Sequence, residues 1–375
     1  MKPIKLVDLQ GQYRRLKSSI DAAIQGVLDK GDFIQGGEVA EFELSLSQFL
    51  GNAHVVSCAN GTDALQIPMM ALGFRPGDQV IVPVHTYVAT AEVIALLRLS
   101  PVFVDVDPDT FMLDINQVER KITNKTVAIV PVHLYGQCAH MEPLLALAKS
   151  KSLIVMEDTA QALGAKYQFS DGSCKAAGLL ATVGATSFFP SKNLGAYGDG
   201  GAMITTDPDL AKKLRMIANH GQRIKYQHDV IGVNSRLDTM QAAILRAKLF
   251  HLNSFEVERQ RVAAYYDAHL AEVPELKMPA RVSWSTHVFH QYTIRVLKGK
   301  RDALQQHLAQ AGIPTSVYYP TPLHLQTAYR QPGMDKGVFP VAEMLSEQVL
   351  SLPIHTELEE DQLSYICSSI LKFFS

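Results

Sequence analysis

Short Val- and Ile-rich runs recur through the first half of the chain, each followed by a segment of helical period. This alternation limits the possible folds more than any other feature. "HVVSCA" (54–59) reads as a strand and "TDALQIPMMALG" as the helix that follows it. "QVIVP" (79–83), a helix near "TAEVIALLRL" and "VFVDVD" (102–107) come next. "VAIVPVH" (127–133), a helix from Met141 to Lys151 and "LIVMED" (153–158) continue the series, which "ATSFF" and "GAMITT" complete. Strands that are apolar at nearly every position belong to a mostly parallel sheet with helices on both faces. Pro68 lies inside the first of these helices and predicts a kink there. From about Thr239 to Val273 the pattern is helical throughout, a long helix or a helix pair. Beyond it come a strand ("QYTIRVL"), a helix ("RDALQQHLAQAG") and a Pro-rich loop ("YYPTPLH"). With 375 residues, two domains are expected. The first is a large α/β domain over 1–250, the second a smaller α+β domain over 251–375.

Charge excludes several classes. Thirty-five basic and 37 acidic residues leave a net charge of -2, no footprint for nucleic acid or an anionic membrane. The most apolar stretch, 91–104, contains Glu92 and Arg98 and is too short to span a bilayer. "MKPIKLVDLQGQYRR" has no apolar region followed by a small-residue cleavage site. Cys58, Cys138, Cys174 and Cys367 form no CxxC pair, so neither a zinc site nor a disulfide framework is expected. A reducing, cytoplasmic setting follows as the default. The histidines, among them His133, His140, His220, His228 and His324, lack metal-binding spacing, and no metal is expected.

Three polar segments stand at strand ends. "CANGTDAL" is strand, loop and helix start: Gly61 permits close backbone approach, and Thr62 offers a hydroxyl. Such a helix start binds a phosphate dianion, provided Asp63 points away, although an ordinary capped helix reads the same. "VMEDTAQALGA" closes a strand on Asp158, with Glu157 facing the opposite way. A carboxylate at the C-terminal end of a parallel strand sits where ligands bind, and a plain N-cap is the alternative. "TSFFPSKNLGAYGDGGA" places Lys192 between an apolar turn and a glycine-rich loop, unlike a lysine on a solvated helix. No GxGxxG follows an early strand, and no GxxxxGK[ST] occurs. Phosphate site, carboxylate and isolated lysine, in this order, suit pyridoxal phosphate.

These segments, with "GDFIQGGEVAEFE", "VPVHTYVATAEVI", "VDVDPDTFMLD", "PVHLYGQ", "GVNSRLDTMQAAIL", "YYPTPLHLQ" and "FPVAE…SLPIH", carry a resemblance over nearly the whole chain. The chain resembles the sugar aminotransferases of the DegT/DnrJ/EryC/StrS group. The resemblance implies the aspartate-aminotransferase-like fold, with a mostly parallel seven-stranded sheet between helices. It makes Lys192 the Schiff-base lysine and Asp158 the partner of the pyridine nitrogen. Gln161 matches the amide near the phenolic oxygen, and Gly61, Thr62 and Ser187 match the phosphate cradle. Tyr87 matches the aromatic stacked on the ring. Asn234 matches an asparagine that reaches the phosphate held by the neighbouring subunit, so a homodimer with shared sites is implied.

The implied reaction is two-step transamination, in which an amino acid, glutamate in most relatives, gives its amine to a keto-sugar. Some relatives carry histidine in place of this lysine and are dehydratases; Lys192 favours transfer. "NHGQRIKYQHDVIGVNSRLDT" looks most like the branch acting on UDP-linked 2-acetamido-3-oxo-glucuronate, which supplies 3-amino sugars for surface polysaccharide such as the O-antigen of lipopolysaccharide. Arg223, Lys225, Tyr226 and His228 are candidates for a sugar carboxylate or diphosphate, or else a solvated basic loop. Tyr318, Tyr319 and His324 are further candidates for substrate contact. Tyr318 stands where that branch carries histidine. Two other readings stay open: a dTDP-3-oxo-6-deoxyhexose as acceptor, and a non-catalytic regulator on the same fold.

Overall fold

The computed structural model describes residues 2–375. Its strands are β1 (His54–Cys58), β2 (Gln79–Pro83), β3 (Ser100–Val104), β4 (Thr126–Ile129), β5 (Ile154–Asp158), β6 (Lys166–Gln168), β7 (Cys174–Ala176), β8 (Val183–Ser187), β9 (Gly201–Thr205), β10 (Gln222–Ile224), β11 (Gln227–His228), β12 (Leu276–Lys277), β13 (Tyr292–Val296) and β14 (Val349–Leu352). The helices are α1 (Leu9–Lys30), α2 (Gly37–Phe49), α3 (Gly61–Ala71), α4 (Ala89–Leu96), α5 (Ile115–Lys121), α6 (Met141–Ser150), α7 (Pro208–Ala218), α8 (Thr239–Leu249), α9 (Leu252–Leu270), α10 (Arg301–Gln310), α11 (Pro340–Gln348) and α12 (Glu360–Phe374).

Seven strands form one sheet in the order β1-β9-β8-β5-β4-β2-β3. β8, β5, β4, β2 and β3 run parallel, and β9 is antiparallel to both β1 and β8. Both faces are buried, as continuous apolar strands require. Val80 and Val82 enter a core that includes Ala64 and Leu65 of α3 and Val93 and Ile94 of α4, whereas Ile81 enters a core that includes Met141 and Leu144 of α6. Each such side chain contributes about 1.5–3 kcal/mol on leaving water.

Expected and observed boundaries differ where tertiary contacts decide them. The strand expected at 102–107 spans Ser100–Val104, because Ser100 and Pro101 pair with Gln79 and Val80. Proline is tolerated there because β3 is a sheet edge. Pairing stops before Asp105, whose carboxylate turns away and accepts from the N–H groups of Val341 and Ala342 at the start of α11. Helix α3 runs unbroken through Pro68. The segment from Thr239 onward is a helix pair, α8 and α9.

A separate core unites α9, α10 and α12 with the antiparallel sheet β12-β13-β14, and Ile4 from the N-terminal segment joins it. All four cysteines are free, and only Cys174 is exposed. Among the described residues no helix is long and apolar enough to cross a membrane. The parallel strands all end on one side of the sheet, and there the polar segments at Asp158 and Ser187 meet.

Candidate active site

Lys192 sits in a loop that closes on itself directly after β8. The Lys192 N–H donates to the Phe189 carbonyl (2.8 Å), and the Ala196 N–H to that of Phe188 (2.8 Å). Gly195 makes this closure possible: a Cβ there would lie 2.2 Å from the Pro190 carbonyl oxygen. The loop delivers Lys192 to a cavity of about 350 Å³. Burial pushes the amine down from the ordinary lysine value to about 8, and the charge of Asp158 opposes that shift. A usable share of neutral amine at neutral pH is the result.

Asp158, 5% exposed, closes β5 beneath the cavity. Its two oxygens are held separately: Oδ2 accepts from the Thr90 hydroxyl (2.7 Å) and Oδ1 from the Ala160 N–H (3.1 Å). Glu157 faces the other side of the sheet, as strand alternation requires. There it accepts from the N–H groups of Gly178, Leu180 and Ala181 and meets His133 Nε2 at 3.0 Å. One acid is free to meet a ligand; its neighbour is fully engaged with the scaffold.

The start of α3 forms the far wall. Asn60 caps the helix by accepting from the Asp63 N–H (2.8 Å). The N–H groups of Gly61 and Thr62 belong to the first turn and have no intrahelical acceptor. Asp63 points away, accepting from the Ser235 hydroxyl (2.6 Å). Gly61 packs so closely on Ser187 that a Cβ would lie 2.6 Å from the serine Cβ. Two amides, the hydroxyls of Thr62 and Ser187 and a helix N-terminus form a donor set for a phosphate dianion. With Lys192 and Asp158 across the cavity, the residues present fit pyridoxal phosphate.

Gln161 holds the remaining wall. Its Oε1 accepts from the Tyr135 N–H (2.6 Å), and its Nε2 donates to the Tyr319 hydroxyl (3.2 Å). Tyr87 is 57% exposed, against the expectation for a core tyrosine, and its ring lies 6.1 Å from that of Tyr319. Tyr318 also lines the cavity. Sequence reasoning missed Thr90, which holds Asp158, and Thr86 and His290, which line the cavity with unpartnered Thr86 Oγ1 and His290 Nδ1. Thr86 and Thr90 flank Tyr87 in "HTYVAT", so their placement in that motif was the available signal.

Other candidates lie elsewhere. His324, expected to approach a substrate, is fully buried; its Nε2 meets Glu343 at 3.1 Å and its ring packs on Phe339. It is a structural histidine, because the chain beyond Pro322 turns inward beneath the cavity wall. His133 is structural too: its Nδ1 accepts from the Ala139 N–H (3.1 Å), and its Nε2 faces Glu157. Arg223, Tyr226 and His228 stand on the exposed β10–β11 hairpin, outside the cavity of their own chain. Arg223 pairs there with Asp229 (2.8 Å). Asn234 is exposed and also outside that cavity. Among the cavity-lining residues Lys192 is the only lysine or arginine.

Residues 14–371 match the model of the DegT/DnrJ/EryC1/StrS aminotransferase family. The chain is 48% identical to the UDP-2-acetamido-2-deoxy-3-oxo-D-glucuronate aminotransferase of Pseudomonas aeruginosa, covering 98% of this chain and 99% of that one. It is 47% identical to a pleiotropic regulatory protein of Geobacillus stearothermophilus (99% and 98% covered). To the dTDP-3-amino-3,4,6-trideoxy-alpha-D-glucose transaminase of Streptomyces venezuelae it is 42% identical (98% and 97% covered). Among solved structures, S. venezuelae DesV superposes with a TM-score of 0.95 at 41% identity, covering 100% of this chain and 99% of that one. The PLP-form of a sugar aminotransferase from Streptococcus pneumoniae superposes with a TM-score of 0.88 at 27% identity (94% and 95% covered).

Proposed function

The chain belongs to the DegT/DnrJ/EryC1/StrS aminotransferase family and is a pyridoxal-phosphate-dependent sugar aminotransferase, and from that premise we propose its acceptor, its donor and the roles of its residues. The acceptor is UDP-2-acetamido-2-deoxy-3-oxo-glucuronate, the donor is L-glutamate, and the product is the 3-amino sugar destined for surface polysaccharide. The observation that carries the reading is the convergence of Lys192, Asp158 and the α3–Ser187 cradle on one cavity.

When bound, pyridoxal phosphate supplies an electron sink for the carbon that gains or loses a proton. Gly61, Thr62 and Ser187 hold its phosphate. Asp158, oriented by Thr90 and Ala160, offers a carboxylate oxygen to the ring nitrogen. Gln161 and Tyr87, which line the same cavity, would hold its ring. The Lys192 amine would take and return the proton at the reacting carbon, general acid–base work for which a value near 8 is suited.

The acceptor carries a diphosphate and a carboxylate, yet Lys192 is the only lysine or arginine of the cavity. The further cations come from the hairpin of a second subunit. Arg223 and Lys225 are candidates, beside Asn234, which completes the phosphate site across a homodimer. Ile224, Tyr226 and Ile231 on and beside the hairpin are exposed apolar side chains that such a contact would cover.

A second acceptor class is favoured by a specific feature: Tyr318 stands at the cavity where the uronate branch has histidine, and the S. venezuelae relative is named for a dTDP-sugar. The regulatory name of the Geobacillus relative raises the non-catalytic alternative, which an intact donor set and a lysine at its station oppose. Incubation with glutamate and each keto-sugar decides among them. Turnover of the UDP-uronate supports the proposal; turnover of the dTDP-sugar alone refutes it, and absence of cofactor absorbance would revive the regulator.

A further inference from the structure

Lys248 of α8 is a lysine the proposed chemistry does not use, and it is 1% exposed. Its amine donates to the carbonyl of Gly195, three residues beyond Lys192. The same amine lies 5.2 Å from the centroid of the Tyr197 ring. Burial and the nearby Arg259 guanidinium both act against its charge, and no carboxylate among the described residues offsets them. They push the amine down to about 7, and in either protonation state it can donate to the Gly195 carbonyl.

The rest of α8 grips the same loop. Gln241 Oε1 accepts from the Tyr197 N–H (2.8 Å), and a Cβ on Gly198 would lie 3.1 Å from the Gln241 amide nitrogen. Arg259 of α9, fully enclosed, works in parallel. Its Nη1 donates to the carbonyls of Phe289 (2.9 Å), His290 (3.4 Å) and Ile354 (3.1 Å). Thus the two buried basic side chains of the α8–α9 pair each clamp backbone carbonyls behind a cavity wall. One stands behind Lys192 and the other behind His290.

We infer that Lys248 is a positioning residue for Lys192: through the Gly195 carbonyl it fixes the loop that holds the reacting amine inside the cavity. The inference rests on the assignment of Lys192 to the cofactor. Gly195 has no side chain to anchor, and Pro190 already crowds its Cα, so the carbonyl is the handle available at this turn. Without the clamp the loop relaxes toward water, and the amine of Lys192 returns toward the ordinary lysine range.

The test uses holoenzyme carrying Lys248→Met, which keeps an unbranched apolar stem and removes the donor, beside Lys248→Arg, which restores one. The expected result for Lys248→Met is a melting profile close to wild type and kcat lower by about 10–100-fold, with KM for the keto-sugar changed less than about threefold. The pH midpoint of the bound cofactor's absorbance change moves by about one unit or more. Lys248→Arg recovers most of both. A folded Lys248→Met protein with wild-type kcat and midpoint overturns the inference. So does a kcat loss that merely tracks loss of folded protein. If Lys248→Met does not fold, Lys248→Arg decides: a folded protein with the wild-type midpoint supports the clamp, and one with a displaced midpoint overturns it. Borohydride trapping and peptide mapping of the wild type keep the two readings apart. Label on a residue other than Lys192 overturns the site assignment and the clamp with it. Label on Lys192 with an unmoved midpoint in Lys248→Met overturns the clamp alone.

Discussion

The cavity floor and the β10–β11 hairpin carry similar polar chemistry and differ in what holds it. On the floor, Asp158 is held at both oxygens by Thr90 and Ala160, and Lys192 rides on a loop closed by its own backbone. On the hairpin, Arg223 finds only Asp229, six residues away on the same exposed turn, and Tyr226 is 81% exposed. The partners that hold these floor groups all belong to the same chain. The hairpin's side chains meet only near neighbours in sequence, as Arg223 meets Asp229 and His228 meets the His220 carbonyl. A group that is already oriented loses little freedom when a ligand arrives, so the floor suits chemistry and the hairpin suits recognition.

The largest effect expected is on the floor. Lys192→Ala lowers turnover by about a thousandfold or more, because the proton carrier is removed. Borohydride then no longer attaches cofactor to the chain, which peptide mapping reads directly. Asp158→Asn comes next, at about a hundredfold in kcat, with the melting temperature nearly unchanged because the amide retains the Thr90 contact. Retention of wild-type turnover by either variant would remove the distinction between floor and hairpin.

Asp158 was legible because a buried parallel strand is apolar until it emerges, and strand alternation separates it from Glu157, which faces the other way. Asp158 was read that way, Lys192 from its place between an apolar turn and a glycine-rich loop, and Ser187 only from the resemblance; all three line one cavity. Thr90 was not legible: its partner is 68 residues away, and nothing local says which hydroxyl will face Asp158. Lys248 carries no local signal either: its contact with the Gly195 carbonyl exists only because α8 packs behind the loop. Local sequence reports strand ends well because burial of the strand is a local property. It reports second-layer contacts poorly because they depend on how distant elements dock. His324 left two readings open, substrate contact or structural histidine, and its side chain meets Glu343 and does not line the cavity.

The hairpin side of the contrast is testable through association. Ile231 is 87% exposed beside the hairpin, and Ile231→Asp is expected to shift the protein toward monomer in sedimentation. Turnover falls by about 10–100-fold in parallel, since a charge buried without a partner opposes docking. A monomeric variant with full activity would place the whole site in one chain.

A gentler test varies pH. The amine of Lys192 is lowered to about 8, so its neutral form prevails above that value and is depleted below it. At pH 7 about a tenth of the lysine is neutral, against about one part in three thousand for an ordinary lysine. The rate at which the apoprotein captures cofactor is therefore expected to rise about tenfold per unit up to pH near 8 and then level. A rise that continues to pH 10 would mean that the floor does not enclose this amine.

The smallest effect is expected at Arg223, and its size bears most directly on the acceptor. The Arg223–Asp229 pair is exposed, so Arg223→Ala should barely change stability. If the arginine meets only a diphosphate already held by other groups, KM for the sugar nucleotide rises about two- to fivefold, in keeping with one screened contact. If it receives the uronate carboxylate, a charge-assisted bond of about 1.5–3 kcal/mol is lost, and kcat/KM falls about 10–150-fold. That larger fall should be seen with the uronate and be absent with a 6-deoxyhexose, which has no carboxylate to lose. Comparing Arg223→Ala on the two acceptors thus separates recognition of the sugar from recognition of the nucleotide, and only the first would make the hairpin a determinant of specificity.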